Sequence, residues 1–167
     1  IMIGAQTVTL ADYEKCSPQT EVKFRGQTLV FSTPSFFSAD RAMSLFDSDR
    51  VLSEPETIRW INSMEEGELL IDIGANVGLH TVFAAAKKIQ VIAIEPESSN
   101  YSTLNQNLKN NGLDKKVAAF CVAMSDKTGL EKLNIRSLGV GQSCHNVGLA
   151  LLTDGTPVDP SLNFYEQ

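Results

Sequence analysis

The feature that most restricts how this chain folds is the run Glu68-Leu69-Leu70-Ile71-Asp72-Ile73-Gly74-Ala75-Asn76-Val77-Gly78. The stretch up to Ile73 is too short for a helix, and its apolar character is typical of a parallel strand covered on both faces. Gly74 and Gly78 bracket a sharp turn. After it, Leu79, Val82, Phe83 and Ala86 share one helical face, and Lys87-Lys88 sets cations at the negative end of the helix dipole. A strand that turns through glycines into a helix predicts a crossover unit whose next strand runs parallel to the first.

The pattern repeats. Val91-Ile92-Ala93-Ile94 reads as a second buried strand ended by Glu95-Pro96. Ser98 or Ser99 is placed to cap a helix carrying Tyr101, Leu104 and Leu108, which stops at Asn110-Asn111-Gly112, and residues 117 to 124 form a third apolar run. The right-handed crossover rule sets these strands side by side in the order 3-2-1. The predicted fold class is therefore α/β, one half of a Rossmann-like doubly wound parallel sheet. Upstream, Ser53-Glu54-Pro55-Glu56 combines a Ser cap, a Glu three residues on and a first-turn Pro. Ile58, Trp60, Ile61 and Met64 continue that helix, and Gly67 closes it with a left-handed cap. Val8 and Leu10, then Val22 and Phe24, a Gly26 turn, and Leu29 and Phe31 predict a small antiparallel strand pair. Residues 32 to 52 read as a loop with a short helix, residues 130 to 135 as a further strand, and residues 136 to 167 as weakly periodic. Two regions result: an N-terminal strand and loop region, 1–52, and a partial ligand-binding domain, 53–167.

With 167 residues, one hydrophobic core is expected. A net charge of −6 provides no positive field for a phosphate backbone, so nucleic acid is not an expected partner. Cys16, Cys121 and Cys144 are irregularly spaced and form neither a disulfide framework nor a metal motif. The expected location is cytoplasmic, because no leader pattern opens the chain and no run approaches the ~20 apolar residues of a membrane span.

The glycine turn carries the chemistry. Gly74 allows a sharp turn and close approach of a ligand, Gly78 allows the helix to pack closely on the strand, and the helix N-terminus offers free N–H groups. Asp72 just before the turn repels phosphate and attracts an ammonium group, which points to an amino acid rather than a pyrophosphate. Glu95 stands 23 residues beyond Asp72, about the interval at which such folds present an acid to ribose hydroxyls. An amino-acid head joined to an unphosphorylated ribose describes S-adenosylmethionine.

The blocks ELLIDIGANVGLHTVFAAA from Glu68, VIAIEPESSNYSTLNQNLKNNGL from Val91 and VAMSD from Val122, preceded by EPETIRWI from Glu54, resemble the FkbM-type S-adenosylmethionine-dependent methyltransferases. The resemblance covers residues 54 to 135 well and the flanks loosely. It implies a class I methyltransferase fold in which Asp72, Gly74, Ala75, Asn76 and Gly78 line the methionine part. Glu95 and Pro96 would then lie at the ribose, and Ala123, Met124 and Ser125 at the adenine edge. It also implies in-line methyl transfer to a hydroxyl of a sugar or secondary metabolite, a small-molecule acceptor. Family members continue beyond the Gly- and Ser-rich stretch into a fourth strand that pairs with the first. Its absence here predicts an open edge along the first strand, open to pairing with a second copy.

Two other readings remain: a truncated non-catalytic module that binds a nucleoside or pairs through its edge, and a nicotinamide-dependent oxidoreductase. The second is disfavoured because the loop reads GxNxG rather than GxGxxG. Asn76 either caps the following helix or touches ligand. His80 is favoured as structural, His145 is disfavoured as a general base for want of a partner, and Cys144 reads as a surface thiol. Trp60 and Tyr101 are read as core or rim residues, and no metal cluster is visible.

Overall fold

Crossover connections dictate the centre of this molecule. The computed structural model describes residues 2–3, 6–7, 18–24, 26–46, 54–148, 151, 154–157 and 165–166. In chain order the elements are β1 (Met2–Ile3), β2 (Gln6–Thr7), β3 (Gln19–Phe24), β4 (Gln27–Ser32), α1 (Phe36–Phe46), α2 (Pro55–Ser63), β5 (Leu69–Ile73) and α3 (Leu79–Ala86). They continue with β6 (Gln90–Ile94), α4 (Ser98–Asn110), β7 (Val117–Phe120), β8 (Leu133–Ile135), β9 (Asn146–Val147) and β10 (Tyr165–Glu166).

Strands β5, β6 and β7 form a parallel sheet in that order, the predicted 3-2-1 arrangement, with Asp72 level with Ala93 and Ala93 level with Ala119. This is the α/β, Rossmann-like architecture expected. Two right-handed crossovers running in the same direction put both helices on the same side of a sheet. Accordingly Leu70, Val91 and Ala93 are buried together with Val82 and Phe83 of α3 and Leu104 and Leu108 of α4. The other face differs from expectation. Leu69 is 52% exposed, Ile71 52% and Ile73 62%, so the first strand is covered on one face, not two. A short apolar run reads the same in either case, and only the placement of the helices decides. Among the described residues β5 pairs only with β6, which leaves its outer edge open.

The expected N-terminal strand pair is the antiparallel hairpin β3–β4, turned at Gly26 with φ +79°. Val8, Leu10, Cys16 and Ser53 lie outside the described residues. Val22, Leu29 and Phe31 of the hairpin and Ala42 of α1 join the same core cluster as the helices of the parallel unit. Asn107 of α4 and Asn111, which caps the C-terminus of that helix, complete the hairpin's edge. Asn111 accepts from the Val30 amide (2.9 Å) and donates to its carbonyl (2.8 Å), and Asn107 accepts from the Ser32 amide (2.6 Å) while donating to the Val77 carbonyl (2.7 Å). Strands β8, β9 and β10 make a separate antiparallel sheet with β8 in the middle.

Helix ends depart from the sequence reading in detail. The N-cap of α2 is Glu54, and the helix ends at Ser63 with Met64 extended, leaving Gly67 (φ +90°) in the turn before β5. Lys87, expected to serve its own helix dipole, instead donates to the carbonyls of Ile61 (2.7 Å) and Asn62 (2.8 Å) and so closes α2. Gly78 caps α3 in the left-handed conformation. A Cβ there would lie 2.9 Å from Leu104 Cγ, so its tight partner is α4 rather than the strand. Gly74 shares the positive φ but has open space where its Cβ would be. Gly78→Ala should therefore destabilise by about 2–4 kcal/mol, combining backbone strain with overpacking, and Gly74→Ala by only about 1–2 kcal/mol. Urea unfolding of the two variants measures the difference, and equal losses would contradict it.

Candidate functional site

The glycine loop is held from the neighbouring strand end. The Ile94 carbonyl accepts from both the Gly74 amide (2.8 Å) and the Ala75 amide (3.0 Å), and Glu95 Oε2 accepts from the Asn76 amide (2.8 Å). Val77 N–H donates to Asn76 Oδ1 (2.9 Å) and Gly78 N–H to the Ala75 carbonyl (2.8 Å). Every amide from 74 to 78 is thus engaged within the protein. The turn itself therefore offers a pyrophosphate none of the donors that such a ligand needs.

Asp72 leaves β5 on the helix-covered face, where Oδ2 accepts from the Thr81 hydroxyl at 2.5 Å. Thr81 is fully buried on α3, so the carboxylate is oriented from beneath. Two clefts meet at Ile73 and Gly74. One, of about 250 Å³, is lined by Asp72, Ala75, Asn76, Arg41, Glu54 and His80. The other, of about 460 Å³, is lined by Pro96, Ala123, Met124, Ser125, His145 and Asn146. A Cβ on Gly74, which lines both, would meet nothing within 4 Å.

The ends of β6 and α4 are strongly acidic. Glu95 is 4% exposed and stands in neither cleft's lining; its Oε1 accepts from the Glu97 amide (2.9 Å). Glu97, not Ser98 or Ser99, caps α4, accepting from the amides of Ser99 (2.9 Å) and Asn100 (2.7 Å) and from the Ser99 hydroxyl (2.8 Å). Burial raises the Glu97 carboxyl, but these hydrogen bonds, helped by the nearby His145, outweigh it and hold the group below its ordinary value. Burial and the charges of Glu95 and Glu97 push the Cys121 thiol up, so a thiolate nucleophile is disfavoured there.

A segment over residues 139–145 closes on the loop. Asn76 Nδ2 donates to the Gln142 carbonyl (2.7 Å), Asn100 Nδ2 donates to the same carbonyl (3.0 Å), and the Gly141 amide donates to Asn100 Oδ1 (2.8 Å). Asn76, left-handed at φ +53°, therefore braces this segment rather than capping α3. His145 Nδ1 accepts from the Arg136 amide (3.3 Å), so that nitrogen is engaged by the backbone. His80 Nε2 lies 3.8 Å from Glu54 Oε2. Cys144 and Trp60 are exposed, and the Tyr101 hydroxyl donates to the Ala119 carbonyl (3.1 Å).

Of the residues singled out from sequence, Asp72, Gly74, Ala75 and Asn76 come together in the first cleft, and Pro96, Ala123, Met124 and Ser125 in the second. Gly78 and Glu95 stand behind the loop. Sequence reasoning missed Thr81, Glu97, Asn100 and Arg41. Thr81 is a polar residue on an otherwise apolar helix face, a signal that was available, and Glu97 directly precedes the Ser pair taken as caps. Arg41 carried no local signal.

The fold is a Rossmann-like α/β unit, with two adjoining clefts at the carboxyl ends of its parallel strands. No family model and no curated protein matches the chain. Solved structures similar to it include Pyrococcus horikoshii TYW2 in complex with MeSAdo, with 22% identity over 66% of this chain and 38% of that one and a TM-score of 0.44. A SAM-dependent methyltransferase from Agrobacterium tumefaciens has 11% identity over 62% and 32%, with a TM-score of 0.43. One from Geobacter sulfurreducens in complex with S-adenosyl-L-homocysteine has 13% over 49% and 34%, with a TM-score of 0.37. The chain spans about a third of the length of these solved chains. No helix of the described residues is long and apolar enough to cross a membrane.

A carboxyl depressed in the folded state stabilises while it is ionised, and its contribution disappears as falling pH protonates it. Glu97→Gln should lower stability by about 1 kcal/mol near neutral pH, and the gap to wild type should close as pH falls below the ordinary carboxyl value of 4.5. Unfolding curves across that range measure it, and a gap independent of pH would show that the charge contributes nothing.

Proposed function

We propose that this chain is the cofactor-binding part of an S-adenosylmethionine-dependent methyltransferase acting on a hydroxyl of a small molecule, a sugar or secondary metabolite. The observation that carries the reading is the pair of clefts that share Ile73 and Gly74, one presenting the Asp72 carboxylate and the other formed by the strand ends. A ligand with an amino-acid head, a small central atom and a nucleoside matches that division, and the empty space at the Gly74 Cβ position is where its centre would pass.

Asp72, oriented by Thr81, holds the ammonium group through Oδ1, which no described residue engages. Gly74, Ala75 and Asn76 shape the floor, with Gly78 fixing the helix behind them. Glu95, behind the loop, fixes the floor through the Asn76 and Glu97 amides at the β6 end, where the ribose lies next to Pro96. Ala123, Met124 and Ser125 border the adenine. When bound, S-adenosylmethionine supplies a sulfonium methyl group that an acceptor oxygen receives. The residues present position that cofactor and exclude a diphosphate by the charges of Asp72, Glu95 and Glu97. The net charge of −6 supports a small acceptor over a polyanion, and the resemblance of residues 54 to 135 to FkbM-type enzymes supports a hydroxyl.

Calorimetric titration with S-adenosylhomocysteine beside NADH tests the reading. The adenosyl ligand should bind and NADH should not, and Asp72→Asn should weaken the adenosyl ligand roughly tenfold or more, as expected for a lost charge-assisted hydrogen bond. Binding of NADH alone would overturn the assignment.

A further inference from the structure

One buried side chain outside both clefts anchors a segment that serves each of them. Asn100, in the first turn of α4, is fully buried and lines neither cleft. The Glu97 carboxylate accepts from its amide (2.7 Å) and so fixes that turn. From there Oδ1 accepts from the Gly141 amide (2.8 Å), and Nδ2 donates to the Gln142 carbonyl (3.0 Å), which also receives Nδ2 of Asn76 from the glycine loop (2.7 Å). Residues 139–143 belong to no helix or strand, so side chains must meet their buried polar groups. The segment is also drawn close to α1, because Gly141 is left-handed at φ +87° and a Cβ there would lie 2.9 Å from the Ser38 nitrogen. Just beyond the anchor it reaches both clefts. The Ser143 hydroxyl accepts from Nη2 of Arg41 (3.1 Å), which lines the first, and His145 lines the second.

We propose that Asn100 is a positioning residue of the ligand site: it fixes segment 139–145 to the glycine loop and so holds one residue of each cleft in place. The proposal rests on the cofactor assigned above and adds to it a residue that acts through others. Only an amide suits the position, because the side chain must accept from one backbone N–H and donate to the carbonyl of the next residue. A carboxylate of the same shape keeps the bond to Gly141 but turns a negative oxygen toward the Gln142 carbonyl, which it repels. Protonation restores the bond, since a carboxylic acid has an O–H to donate. The ionisable groups tied to this network are Glu97 on α4, Glu95 at the end of β6 and His145 on the segment. Burial and the two carboxylates oppose a third negative charge, so a carboxyl introduced at this position takes up its proton in mildly acidic solution.

The test is calorimetric titration of S-adenosylhomocysteine into wild type, Asn100→Asp, Asn100→Ala and Asn111→Asp, at about pH 7.5 and about pH 5. Asn111 makes the same kind of two-bond bridge, to Val30, at the far end of α4 and lines neither cleft, so its variant reports what a lost amide bridge does to folding alone. Asn100→Asp should bind roughly tenfold more weakly than wild type at the higher pH and come within about threefold at the lower, each compared with wild type at the same pH. Asn100→Ala should be weak at both, and Asn111→Asp should stay within about twofold of wild type at both. Wild-type affinity in Asn100→Asp at both pH values, a loss that acid does not restore, or an equal loss in Asn111→Asp would overturn the proposal. Absence of binding by wild type would instead remove the cofactor assignment itself, and the proposal with it.

Discussion

The site depends on one set of hydrogen bonds, those by which the end of β6 grips the glycine loop. The Ile94 carbonyl and the Glu95 carboxylate together receive the amides of residues 74, 75 and 76. Polar backbone turned into a half-buried crevice must find partners, and here the adjacent parallel strand supplies them. The loop shape is then set by strand register, with Ile73 level with Ile94. A cleft floor built this way is rigid before any ligand arrives, which reduces the ordering cost of binding.

The same bonds determine the electrostatic character of the crevice. Loops that hold pyrophosphate leave their amides pointing at the ligand, whereas this loop spends its amides on the protein. Carboxylates dominate instead: Asp72 in the cleft, Glu95 behind the loop and Glu97 at the head of α4. Glu97 retains its charge because three donors converge on it, in spite of burial. Such surroundings disfavour a diphosphate and favour a ligand with a positive group, and the two adjoining clefts give it room on both sides of Gly74.

Asparagines connect this centre to the rest of the molecule. Asn107 and Asn111 stand in for a strand along the edge of β4, and Asn76 and Asn100 share the Gln142 carbonyl. An amide side chain carries a donor and an acceptor at once, so it can replace a missing stretch of backbone ladder. The N-terminal hairpin is thereby tied to α4, and Arg41 of α1 lines the first cleft, although the sequence reading placed the boundary of the binding region at residue 53.

Hydrophobic periodicity and glycine placement alone determined the β-α-β-α-β unit, the strand order and the location of Asp72, Gly74 and Glu95 at strand ends, because these follow from local pattern and crossover handedness. The same reading found the hairpin from its alternation and the Gly26 turn. It could not tell that Leu69, Ile71 and Ile73 face outward, since a six-residue apolar run carries no record of which helices will cover it. Nor could it place Arg41 or Gln142 beside the loop, or show that Gly78 packs on Leu104. Those contacts join residues distant in sequence, and only the folded packing brings their charges and surfaces together.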